Sequence, residues 1–272
     1  MPNFKLTWKP DAGQPLPAGQ SSHCDKLLSS NVEALKNASA SVSSPCSEIN
    51  GVLDLRQFAP PIDNQGQIGD CVADSTTAGL ELMEIRNRLP FIKKSRLFLY
   101  YNARLQTGDE GRDDGTFIRL AYSTLTSLGT CTEATWPYDP TQVFTRPSWA
   151  SYQEAYPNKT TSYYRIDATG GSALVDAIKL ALQTQHPVTF GMIVDQDYMA
   201  VAQDGLIDMP KSKRAGEGGH AQLIVGYDDR LQRWIVRNSW GTDWADNGYC
   251  YVPFSYLDAS GANDFWVPCL NA

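Results

Sequence analysis

Apolar residues recur at helical spacing through the first half of the chain and in short continuous or alternating runs through the second. From Cys71 to Arg88, Val72, Ala73, Leu80, Leu82, Met83 and Ile85 predict a helix, with Pro90 just past its end. Leu97–Gln106 and Thr116–Leu128 predict two more, the latter closed by Gly129. Ser172–Gln185 predicts a fourth, with Ala173, Leu174, Ala177, Ile178, Ala181 and Leu182 on one face. After Pro187 the pattern changes. Val188–Val194, His220–Tyr227, Arg233–Asn238, Gly248–Val252 and Phe265–Val267 predict strands separated by turn residues. Helices first and strands second imply an α+β chain in two unlike lobes, one helical and one strand-rich.

Residues 1–50 stand apart. They open on a Pro/Gly-rich stretch (KPDAGQPLPAGQSS), end on a Ser/Ala-rich one, and offer a helical turn only at Ser29–Lys36. Such a segment is held by contacts rather than by a core of its own. We therefore divide the chain into an extension, 1–50, and a domain, 51–272, whose helical lobe is mainly 70–165 and strand-rich lobe mainly 186–272. At 272 residues the whole exceeds the ~150 of an average domain but fits two lobes on one cleft.

Charge narrows the function. With 23 basic against 30 acidic residues the net is −7, a poor match to nucleic acid or an anionic membrane. No apolar run approaches the ~18 residues of a spanning helix, and MPNFKLTWKPDAG shows no apolar leader in this numbering, so the location stays open between the cytoplasm, export by another route, and a leader outside this sequence. Six cysteines and three histidines lack zinc-ligand spacing, so no metal and no cofactor are expected. A monomer acting on protein or peptide substrates is the simplest expectation.

The chemistry concentrates in three places. In Gln65-Gly66-Gln67-Ile68-Gly69-Asp70-Cys71 a glycine-marked loop delivers a cysteine to a helix start, where free backbone N–H groups favour thiolate. A lone cysteine there is ordinarily just a small buried residue. His220 opens an apolar strand after Gly218-Gly219, and Asn238 begins NSWGTDW eighteen residues later. Alone, each has a bland explanation, a core histidine and a polar turn. Together they supply a nucleophile, a base, and an acceptor to orient the base. Asp70 would raise the thiol pKa by like-charge repulsion, so it is expected to face solvent.

NSWGTDWADNGYCYV resembles the NSWGxxWGxxGY segment of papain-like cysteine peptidases at Asn238, Ser239, Trp240, Gly241, Trp244, Gly248 and Tyr249. Gln65, six residues before Cys71, Trp136-Pro137-Tyr138, and Asp54-Leu55-Arg56 extend the resemblance over most of 52–267. It implies a papain-like fold, with a helical lobe and a barrel-like strand-rich lobe flanking the cleft. It implies an endopeptidase in which a thiolate–imidazolium pair, Cys71 and His220, forms an acyl-enzyme. Asn238 would orient His220 under the cover of Trp240, and Gln65 with the Cys71 N–H would hold the oxyanion. Gly115, Asp114, Gly219 and Trp244 would line the substrate site. Ile68 stands where the family has a cysteine, and Arg112-Asp113-Asp114-Gly115 replaces a cysteine-bearing wall, so two of its usual bridges cannot form. Two alternatives remain: a catalytically weak papain-fold binding protein, or an acyl transferase or isopeptidase using the same residues. The family's zymogens thread an N-terminal segment through the cleft. Here residues 1–50 are too short for the usual helical propeptide, but an extended strap anchored by Phe4, Leu6 and Trp8 could act as an intramolecular inhibitor.

Overall fold

The computed structural model describes residues 4–11, 25–27, 48–160, 162–167, 170–209 and 218–270. The helical turn expected at Ser29–Lys36 lies outside them. Helix α1, Cys71–Arg86, runs through the middle of the molecule with 14 of its 16 residues buried. A helix covered on all sides needs no polar stripe. It ends two residues before the sequence predicts, because Arg88 turns into the left-handed region (φ 61°) and the Arg88 and Leu89 amides close onto Ile85 and Glu84.

Helix α2, Arg96–Leu105, starts at Ser95, whose hydroxyl accepts the Phe98 amide at 3.1 Å. Helix α3, Ile118–Ser127, packs on α1 and α2 and is closed by Gly129 at φ 84°. Helix α4, Trp149–Ala155, is short and capped by Ser148. Helix α5, Gly171–Gln183, lays Leu174, Ile178, Ala181 and Leu182 on the sheet. Two single-turn helices follow, α6 at Gln196–Met199 and α7 at Tyr256–Ala259.

The strands form one sheet. In chain order they are β1 (Asp25–Leu27), β2 (Val52–Asp54), β3 (Ser162–Ile166), β4 (Val188–Val194), β5 (Gly218–Asp228), β6 (Arg233–Arg237), β7 (Tyr249–Pro253) and β8 (Asn263–Cys269). Spatially the order is β1-β3-β8-β4-β5-β6-β7, with β2 on β5. Residues 162–165, counted with the helical lobe from sequence, instead form β3 and pair with β8. Tyr163 and Tyr164 are both buried, on opposite faces, which hides the alternation of an ordinary strand.

Two main apolar clusters result. One fills the space between the sheet, α5 and β2; the other lies between α1, α2 and α3 and the sheet residues Tyr163, Ala221 and Trp266. Trp8 belongs to the second, and Phe4 and Leu6 pack on the first. The cleft where they meet is where the N-terminal segment lies.

Candidate active site

The loop before α1 is held to the far side of the cleft. The Gln65 amide donates to Ser239 O (2.9 Å), Gly241 donates to Asp63 O (2.9 Å), and Ser239 Oγ donates to Gln65 Oε1 (2.7 Å). From the helical side, Tyr138 Oη donates to Gln65 O at 2.8 Å. This fixes Gln65 and Cys71 relative to Asn238–Gly241. On β5, His220 Nε2 bonds Asn238 Oδ1 at 2.7 Å. Trp240 stacks on the imidazole (4.5 Å between centroids, 21°), sealing that bond.

Cys71 and His220 are both fully buried. The backbone groups of Ala221, the neighbour of His220, and of Thr7 and Val72 lie near the sulfur and favour its thiolate. Among the described residues His220 Nδ1 has no hydrogen-bond partner, so the thiol and imidazole are not hydrogen-bonded to each other. Burial pushes the thiol up to about 12, assisted by the Asp70 charge, and pushes His220 down to about 4. In this state both are neutral.

The segment 4–11 lies across the cleft, with Thr7 near the Cys71 sulfur and Trp8 against Gly219 beside His220. Its consecutive side chains face opposite walls, as in any extended chain. Phe4 stacks on Trp240 (4.5 Å, 3°) and Leu6 packs at Gly218. Trp8, 4% exposed, sits over Gly191, where any Cβ would overlap the indole. On the other wall Lys5 Nζ meets Asp113 Oδ2 at 2.6 Å, and Thr7 Oγ1 donates to Gly69 O at 2.8 Å. Lys9 pairs with Asp109 (3.3 Å) and Asp11 with Arg119 (2.9 Å). The Trp8 and Lys9 amides donate to Gly219 O (2.9 Å) and Thr116 O (3.2 Å). Gln65 Nε2, the expected oxyanion donor, donates to Lys5 O at 3.1 Å and to Ile68 O at 2.9 Å.

Several expectations need adjusting. Asp70 does not face solvent; it is fully buried, with Tyr138 Oη donating to Oδ1 at 3.3 Å and Arg96 Nε 3.8 Å from Oδ2. Arg96 lies over the Tyr138 ring and pairs with Asp74 at 2.7 Å, making a polar cluster behind the loop. Burial raises the Asp70 carboxyl to about 7 against the pull of Arg96. Trp244 does not line the cleft: it is buried edge-on behind Trp240 (5.0 Å, 86°), with Nε1 donating to Met199 O. Gly115 and Gly219 do meet the segment. At Gly115 (φ 77°) a Cβ would overlap the Thr7 carbonyl. Asp114 is exposed, and it is its neighbour Asp113 that reaches into the cleft. Cys71, Cys131, Cys250 and Cys269 are in no disulfide among the described residues.

Sequence reasoning missed Asp113, Tyr100, Arg96 and Ser239. One signal was present: Lys5 and Lys9 are spaced four apart, as are Asp109 and Asp113.

Residues 50–261 match the family described as papain family cysteine protease. An uncharacterized peptidase C1-like protein, L477, of Acanthamoeba polyphaga mimivirus is 35% identical over 257 residues, covering 89% of this chain and 82% of that protein. Pro-cathepsin H of Bos taurus is 28% identical, over 72% of this chain but 56% of its own length. Among solved structures, xylellain, a cysteine protease from Xylella fastidiosa, superposes with a TM-score of 0.73 at 32% identity, covering 87% of this chain and 90% of that one.

Proposed function

The chain belongs to the papain family of cysteine proteases, and on that premise we propose that Cys71, His220, Asn238 and Gln65 carry the hydrolysis of peptide bonds, and that residues 4–11 keep them latent. Cys71 as thiolate adds to the substrate carbonyl carbon. The oxyanion is held by the Cys71 N–H and Gln65 Nε2. The C–N bond breaks as imidazolium His220 gives its proton to the leaving amine. Water, deprotonated by His220, then adds to the thioester, and the C–S bond breaks to restore the thiolate. Asn238 Oδ1 fixes the ring so that Nδ1 faces the sulfur throughout, and Trp240 keeps water from that bond.

The observation that carries this reading is the His220 Nε2–Asn238 Oδ1 bond of 2.7 Å under Trp240, on the strand whose next residue lies near the Cys71 sulfur. Latency rests on the segment taking the Gln65 donor and desolvating the pair. Removing water disfavours both charged forms, so the proton returns from imidazolium to thiolate. A tethered segment acts at roughly millimolar effective concentration, so modest contacts suffice.

The test is hydrolysis of a small fluorogenic peptide. Cys71→Ala should abolish it, and more than a small residual rate would overturn the nucleophile assignment. Gln65→Ala should lower it about a hundred- to a thousandfold. Staged deletion of residues 1–11 should raise it in a protein that stays folded. Flat or falling activity would rule the latency reading out.

A further inference from the structure

We propose that Asp113 selects lysine or arginine in the substrate residue seated beside Gln65 and Cys71, so that this peptidase acts on basic sites. The inference rests on the peptidase reading above and adds its substrate class.

The segment in the cleft shows what that slot accepts. Lys5 offers its carbonyl to Gln65 Nε2 (3.1 Å) and its ammonium to Asp113 Oδ2 (2.6 Å). One residue thus joins the oxyanion donor to the carboxylate. A substrate must lie between the same walls with a carbonyl at the same amide. A chain of either direction presents alternate side chains to the two walls, so reversing it leaves the charged wall in place.

The carboxylate is built for this. Oδ1 is fixed by Tyr100 Oη (2.7 Å) and by the Gly69 amide (3.0 Å), and Tyr100 Oη in turn accepts the Gly115 amide (3.0 Å). Oδ2 is left to point at the cleft, where Lys5 meets it. The nearby cation Arg104 lies over the Tyr100 ring (3.8 Å) and donates to the carbonyls of Glu110, Arg112 and Val143, which stiffens the loop; it attracts Asp113 without a direct ion pair. Segment 109–114 (DEGRDD) holds four acids against one base, and Asp109 meets Lys9 further along. When the strap departs, a pinned carboxylate oxygen is left facing the cleft without its lysine. A charge-assisted hydrogen bond there favours a basic side chain over a neutral one of the same length.

The experiment uses the full chain carrying Phe4→Ala and Trp8→Ala, with peptides that differ only at the residue before the cleaved amide: arginine, lysine, norleucine or glutamate. Arginine and lysine should exceed norleucine in kcat/KM by about ten- to a hundredfold. Adding Asp113→Asn, which keeps the Oδ1 acceptor, should bring them to within about threefold of norleucine. Equal rates for arginine and norleucine, or an Asp113→Asn effect that is uniform across peptides, would overturn the selectivity while leaving the peptidase reading intact. Cleavage of no peptide, with Cys71 still alkylated by iodoacetamide, would overturn both. With the same Phe4→Ala and Trp8→Ala chain, cuts mapped by mass spectrometry in an unfolded protein should cluster after lysine and arginine; cuts indifferent to charge would count against Asp113.

Discussion

The two walls of the cleft hold the same eight residues by different physics. The sheet wall, Gly191, Gly218, Gly219 and Trp240, is flat and apolar and takes Phe4, Leu6 and Trp8. The helical wall, Gly69, Asp109, Asp113 and Arg119, is charged and takes Lys5, Thr7, Lys9 and Asp11. Apolar burial is worth about 25 cal/mol per Å² and is indifferent to which chain supplies it. The partly exposed Lys5–Asp113 and Lys9–Asp109 pairs are worth about 0–1 kcal/mol each, and with the buried Asp11–Arg119 pair they fix register and reject the wrong charge. The sheet wall therefore supplies most of the affinity and the helical wall most of the selectivity.

Breaking the apolar side should have the largest effect. Trp8→Ala removes a buried indole, a change that costs about 3–5 kcal/mol in a core. The rate of Cys71 alkylation by iodoacetamide in the full chain should rise roughly a hundredfold or more. A change below threefold would show that Trp8 is not the anchor.

An intermediate effect is expected behind the polar wall. The Asp70 carboxyl sits at about 7, above its ordinary ~3.9, because burial disfavours its charge. A raised carboxyl pKa means that the folded chain holds a proton the unfolded one has lost. Stability is thus unaffected below about pH 4 and declines as the pH rises through 4 to 7. Asp70→Asn should raise the melting temperature at pH 8 by about 2–6 °C and leave it unchanged at pH 4. It should also lower the thiol pKa, since a negative neighbour is gone. Equal shifts at both pH values would contradict this account.

The smallest effect is expected at the rim. Lys9 and Asp109 are 3.3 Å apart and partly exposed. Lys9→Ala should raise the alkylation rate less than fivefold, and 0.5 M salt should erase the difference. A larger change would transfer weight from the apolar wall to the charged one.

Much of this was legible in the sequence because it is local. Glycines mark the loop that ends at Cys71, the β4 boundaries follow an apolar run after Pro187, and α2, α3 and α5 carry one-sided apolar faces. Three classes of feature were not. β2 and α4 are too short for a period to show, and β3 hides its alternation because both of its faces are covered. Asp70 was misplaced because its partner Arg96 lies 26 positions away, beyond any local charge argument. Trp244 and Asp114 were displaced by neighbours: Trp240 takes the cleft face and Asp113 the carboxylate role, choices set by packing between lobes.

The neutral thiol in the closed cleft has a consequence for the protein's durability. Peroxide and disulfide attack thiolates that solvent can reach, and Cys71 in this arrangement is neither ionised nor accessible. On the latency reading proposed above, the segment would also shield the sulfur from oxidation, and the two protections would end together when it leaves. A chain in this form could wait in an oxidising medium with its nucleophile chemically intact, and its oxidative lifetime would begin at activation rather than at synthesis.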